Sequence, residues 1–168
     1  MDRDLSSFRP SRLWRRLPLD RRIDAATLFW DDEQSEEQQV EAVAAIANRM
    51  KFRPRSVIGL APERRAKYLA QLPTVSDAIA ARALVSYHLE RQRPMMAAFL
   101  DSLGIAHDNG LISEENVAKP DEDKLKAAAA ELASKFDRND VAVYLSTLVS
   151  QDPETWGGLV DLPEINPE

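Results

Sequence analysis

Apolar residues recur at helical spacing along most of the chain. Behind Ser35-Glu-Glu-Gln38, the residues Val40, Val43, Ala44, Ala47 and Met50 fall on one stripe of a helix. Ser35 and Gln38 have the spacing of a capping box, in which the serine oxygen and the glutamine side chain satisfy orphan backbone N–H groups. Thr74 precedes a second stripe of Val75, Ile79, Ala83 and Tyr87, with Asp77 in the first turn, where the helix dipole favours an acid. Met95, Met96, Phe99, Leu100 and Leu103 follow Pro94, a residue suited to a first turn. Pro120-Asp121-Glu122-Asp123 opens another helix with the face Leu125, Ala128, Ala129, Leu132 and Phe136. Asp137 and Asp140 bracket the start of the next, which carries Val141, Tyr144, Leu145, Leu148 and Val149.

These patterns predict helices near 20–32, 35–52, 55–60, 62–72, 75–92, 94–103, 121–136 and 138–151. No extended alternation of period two is present, so no significant sheet is expected. The expected fold class is all-α, a compact multi-helix bundle of about seven to eight short helices joined by short connections. The chain reads as a single helical domain over 1–168. Within it come a basic arm (1–19), a main helical unit (20–104), a linker loop (105–120), a C-terminal helical hairpin (121–152) and a tail (153–168). The arm is expected to be flexible or docked, with Trp14 pinned on the core. The tail is expected to start a helix at Asp152-Pro153 and to finish as an extended strap anchored by Trp156. Both tryptophans are also candidate partner-binding residues.

Composition narrows the chemistry. The chain of 168 residues is 44% hydrophobic and 30% charged, as in a globular protein. It has no cysteine, which removes disulfides, thiolate metal sites and cysteine nucleophiles, and is compatible with a reducing cytoplasm. No apolar run is long enough to span a membrane. Prolines 10 and 18 confine the apolar residues of the arm to barely two helical turns, too little area for a surface anchor. The net charge of −6 is unevenly spread: residues 1–107 carry 17 Lys/Arg against 14 Asp/Glu, and residues 108–168 carry 5 against 14. Such asymmetry implies contact between opposite charges or a basic face with its own partner.

The basic face is concentrated. Arg49, Lys51, Arg53, Arg55, Arg64, Arg65 and Lys67 lie within 49–67 against one acid, Glu63. This cluster is a candidate site for nucleic acid or another polyanion. The segment 46–60 also resembles a helix-turn-helix, with Ala47 where the helices would cross. Phe52 follows the turn, and Val57 and Leu60 occupy the core places of the second helix. Arg53 and Arg55 would then face phosphate or guanine. Two features oppose that reading. Lys51 stands where glycine is usual, and Gly59 with Ala61-Pro62 would end the second helix after about two turns. A plain helix-to-helix joint is the simpler expectation.

A second stretch, 99–116, gathers Asp101, His107, Asp108, Asn109, Glu114 and Glu115. It invites a metal or hydrolytic reading built on His107 with Asp101 or Asp108. Its turn grammar is more ordinary. Gly104 suits the left-handed position beyond a helix, with Ile105 folding back, and Asn109-Gly110 is a strong turn dipeptide. A calcium loop fails because Ile105, His107 and Asn116 occupy places that need ligands. The other histidine, His88, lies beside the Ile79–Leu84 face and reads as a boundary core residue. No Gly-rich phosphate loop, HExxH helix or GxSxG elbow occurs.

The sequence therefore points first to a non-enzymatic helical protein-interaction module. It would be cytoplasmic, without a cofactor, and would bind another protein or itself rather than a membrane. The alternative is DNA binding through 46–60, and the third is a hydrolase or metal site around His107.

Overall fold

Proline and acidic punctuation marks most helix starts in the computed structural model, which describes residues 5–115 and 117–165. After a single 3-10 turn at Ser6–Phe8 come α1 (Pro10–Arg16), α2 (Leu19–Asp31), α3 (Glu36–Met50), α4 (Pro54–Ile58) and α5 (Pro62–Gln71). They are followed by α6 (Asp77–Arg91), α7 (Arg93–Leu103), α8 (Glu122–Lys135), α9 (Arg138–Gln151) and α10 (Pro153–Trp156). The class is all-α. The single departure among the described residues is a two-residue antiparallel ladder, β1 (His107–Asp108) with β2 (Leu111–Ile112). Prolines sit in the first turn of α4, α5, α7 and α10, where the missing N–H has no intrahelical partner to lose.

The chain divides into two compact units, one Pro10–Glu90 and the other the described parts of Met1–Arg9 and Arg91–Glu168. In the first unit α2 packs against α5, and α3 packs against α4 and α5. Its fully buried side chains include Leu13, Trp14, Leu17, Phe29, Ile46, Val57 and Leu69. Much of the expected arm is therefore folded. The backbone N–H of Ser11 at the start of α1 donates to Asp77 Oδ1 on α6 at 3.0 Å. Residues 1–4 of that arm lie outside the described residues, as do Asn116 and 166–168 of the tail.

In the second unit α8 packs on α7 and α9, and the Ser6–Phe8 turn lies on α9. The apolar faces of α8 and α9 are buried as their spacing predicts, apart from half-buried Phe136. The tail differs from an extended strap. Asp152 accepts hydrogen bonds from the Thr155 N–H and, at 2.6 Å, its hydroxyl, which starts α10. A 3-10 turn at Gly157–Leu159 and successive tight turns then carry the chain to the buried Ile165. Turns win over a strap because they bury Trp156, Leu159 and Ile165. Trp156 lies 5.9 Å from Phe99, whose ring also meets Tyr144 edge to face at 5.9 Å.

Tertiary demands rotate α3 away from its sequence stripe. Its buried residues are Ala42, Ile46 and Ala47, whereas Val40 is 72% exposed and Met50 38%. The capping box also does not form. The Ser35 hydroxyl donates to Asp32 Oδ2 at 2.8 Å and accepts from Arg82 Nε at 3.1 Å, so it is unavailable to its own helix. Gln39 Nε2 instead donates to the carbonyls of Phe29, Trp30 and Asp32 at 2.9, 3.3 and 2.9 Å, closing the end of α2. Placing Gln39 inward fixes which face of α3 is buried. At the start of α6 the side chain that accepts from the helix is Ser76, bonded to the Ile79 N–H, rather than Thr74.

Candidate binding face and its surroundings

The joint between α3 and α4 is built on a left-handed residue. Lys51 has φ 57° and ψ 37°, and the Phe52 N–H reaches back to the Ala47 carbonyl at 2.9 Å. Lys51 thus takes the left-handed place after the helix that glycine usually fills. The second helix is too short to read a groove, since α4 spans only Pro54–Ile58 before Gly59 and Pro62 end it and begin the next. Val57 is buried as expected. Phe52 is not core: it is 37% exposed, with its ring edge-on to Tyr68 at 5.9 Å.

Six of the seven basic residues, Arg49, Lys51, Arg53, Arg55, Arg64 and Lys67, are exposed. Among the described residues no side-chain hydrogen bond or ion pair holds any of them. The seventh is a packing residue: Arg65 places its guanidinium carbon 5.1 Å from the centre of the Trp30 ring, a cation–π contact. The same segment carries Met50, Phe52 and Ile58, exposed by 38%, 37% and 61%. Sequence reasoning found the cations but missed the apolar residues among them, because helical spacing puts Met50 on the apolar stripe of α3, the turn reading places Phe52 after the joint, and neither gives Ile58 a role. Trp14 and Trp156 are only 1% and 3% exposed. They are core residues of their units and present no surface to a partner, because burying a large ring outweighs displaying it.

The His107 stretch assembles one of its two expected pairs. His107 Nε2 lies 2.7 Å from Asp101 Oδ1, while Asp108 sits on the ladder opposite Leu111. His107 Nδ1 accepts the Gly110 N–H at 3.0 Å, so a neutral ring carries its proton on Nε2 and donates it to Asp101. Both ring nitrogens are occupied, and the imidazole ties the turn to α7. The turn itself has Asn109 at φ 48° and Gly110 at φ 92°, the paired positive values of a two-residue hairpin. A Cβ on Gly110 would stand 2.9 Å from Met96 Cβ and 3.0 Å from the Arg93 carbonyl. Gly104 at φ 70° ends α7, with the Ile105 N–H bonded to the Leu100 carbonyl.

A polar cluster missed by sequence reasoning joins α2, α3 and α6. Asp32 accepts from the Gln34 N–H at 3.0 Å, Arg82 Nη2 at 2.9 Å and, through hydroxyls, Ser35 and Ser86 at 2.8 and 3.2 Å. Partial burial pushes the Asp32 carboxyl up, but these four donors outweigh it and hold the group below its ordinary value. A cleft of about 590 Å³ opens beside it, with Asp31, Glu33 and Glu90 on its walls. Arg82, its one cation, is committed to Asp32 and Ser35, so the cleft offers no free counter-charge. No group of three or more His, Asp or Glu side chains among the described residues is placed to hold a metal ion. No described helix is long and apolar enough to cross a membrane.

No protein-family model matches the chain, and no curated protein or solved structure is significantly similar to it.

Proposed function

We propose that this chain is a non-enzymatic helical protein-interaction module whose working surface is the α3–α4–α5 face of the Pro10–Glu90 unit. One observation carries the reading: six unpaired, exposed cations lie in the same segment, 49–67, as the exposed Met50, Phe52 and Ile58. Free cations call for an acidic partner, and exposed apolar side chains call for one with apolar groups of its own. A protein surface supplies both. The absence of cysteine suits a cytoplasmic setting. His107 supports the non-enzymatic part, because one ring nitrogen is taken by Asp101 of α7 and the other by the Gly110 N–H.

Nucleic acid is the second reading, favoured by the left-handed Lys51 turn. Fluorescence anisotropy separates the two. The probes are a labelled synthetic acidic helix with leucine on one face and a labelled random DNA duplex, at about 50 and 200 mM salt. The acidic helix should bind wild type and bind Ile58→Glu and Arg53→Ala/Arg55→Ala at least about tenfold more weakly. Duplex binding that falls by orders of magnitude with salt and is indifferent to Ile58→Glu would replace this reading with a nucleic-acid one.

A further inference from the structure

We infer that the occupant of the basic face is the acidic hairpin of a second copy of this chain. This inference rests on the reading of that face as a protein-docking surface. Apart from Leu111, every exposed large apolar side chain among the described residues belongs to the Pro10–Glu90 unit. Leu111, 53% exposed, stands on the hairpin of the other unit. The segment 101–115 contains Asp101, Asp108, Glu114 and Glu115, all exposed, and neither lysine nor arginine. One segment of exposed cations and apolar residues and another of exposed acids with a leucine, the knob, are therefore both present on one chain, each complementary to the other in charge and in hydrophobicity.

The knob is pre-organised. His107 ties it to Asp101, the Ala106 N–H donates to Glu114 Oε1 at 2.9 Å, and Arg93 Nη1 donates to the Asn109 carbonyl at 3.0 Å. That bond commits the Arg93 guanidinium to the hairpin backbone. Gly110 seats the turn against Met96. Little conformational entropy is then lost when Leu111 is covered. A polyphosphate could neutralise the cations but would leave Ile58 and Leu111 in water. The two surfaces are different patches, so each contact pairs the face of one copy with the knob of another, and the copies associate as a reciprocal pair, a ring or a head-to-tail chain.

Sedimentation velocity from about 1 to 100 μM protein at about 50 and 300 mM salt tests this, with circular dichroism melts confirming that each variant is folded. Wild type should gain mass with concentration and lose it at high salt. Ile58→Glu and Leu111→Arg should each raise the concentration needed by at least about tenfold. Mixing the two variants should restore association but stop at a one-to-one pair, because only one intact knob and one intact face remain. Wild type that stays monomeric overturns the inference, as does assembly indifferent to Leu111→Arg. If the acidic-helix probe still binds in either case, the docking face stands and only its occupant is wrong. If it does not, both fall.

Discussion

His88 gives the sharpest link between burial and a measurable quantity. It lies on α6 and is only 5% exposed, and burial pushes its imidazole from 6.5 down to about 4. The folded state keeps the ring neutral where the unfolded chain already takes up a proton. Below pH 6.5 protons therefore favour unfolding, so stability falls as pH drops towards about 4 and levels off beneath it. A shift of this size corresponds to a loss of roughly 2.5 kcal/mol between about pH 8 and pH 4.5, at about 1.4 kcal/mol per pH unit. Other groups titrate in the same window, so the quantity to read is the difference between wild type and His88→Gln, which cannot titrate. Urea unfolding followed by circular dichroism at closely spaced pH values supplies it. The variant starts from its own baseline stability, but its profile should be flatter by about the amount above. Parallel losses in the two proteins over that window would refute the claim that His88 is held neutral by burial.

Gly110→Ala should cost at least about 2 kcal/mol, since it combines a positive φ with a Cβ driven into Met96, whereas Gly157→Ala, with helical φ and open space, should change the thermal midpoint little. Lys51→Gly should stabilise by about 0.5–1 kcal/mol by relieving a left-handed residue, and a fall in the urea midpoint would contradict that geometry. Asp32→Ala removes four hydrogen bonds and should destabilise by roughly 1–3 kcal/mol. A double-mutant cycle with Arg82→Ala should give a positive coupling of about 1 kcal/mol, and strict additivity would show that the pair is only a surface contact.

What the sequence by itself determined was largely local. The prolines of α4, α5, α7 and α10, the caps at Asp137 and Asp152, the left-handed stop at Gly104 and the Asn109-Gly110 turn all depend on backbone groups a few residues away. Spacing is enough to reveal them. The same locality explains why the class was readable as all-α and why the acidic and basic stretches were visible. Only the tertiary structure decided the side-chain partners. Ser35 abandoned its own helix for Asp32 and for Arg82, 47 residues away. The Gln39 amide turned α3 so that Val40 and Met50 faced water. Phe52 ended at the edge of Tyr68 and stayed exposed among cations, which made a basic joint into a mixed surface. A helical stripe states that one face is apolar, but a short alanine-rich helix has several nearly equivalent faces. The choice among them rests on which polar groups of neighbouring helices must be satisfied, and those neighbours are brought together only by folding.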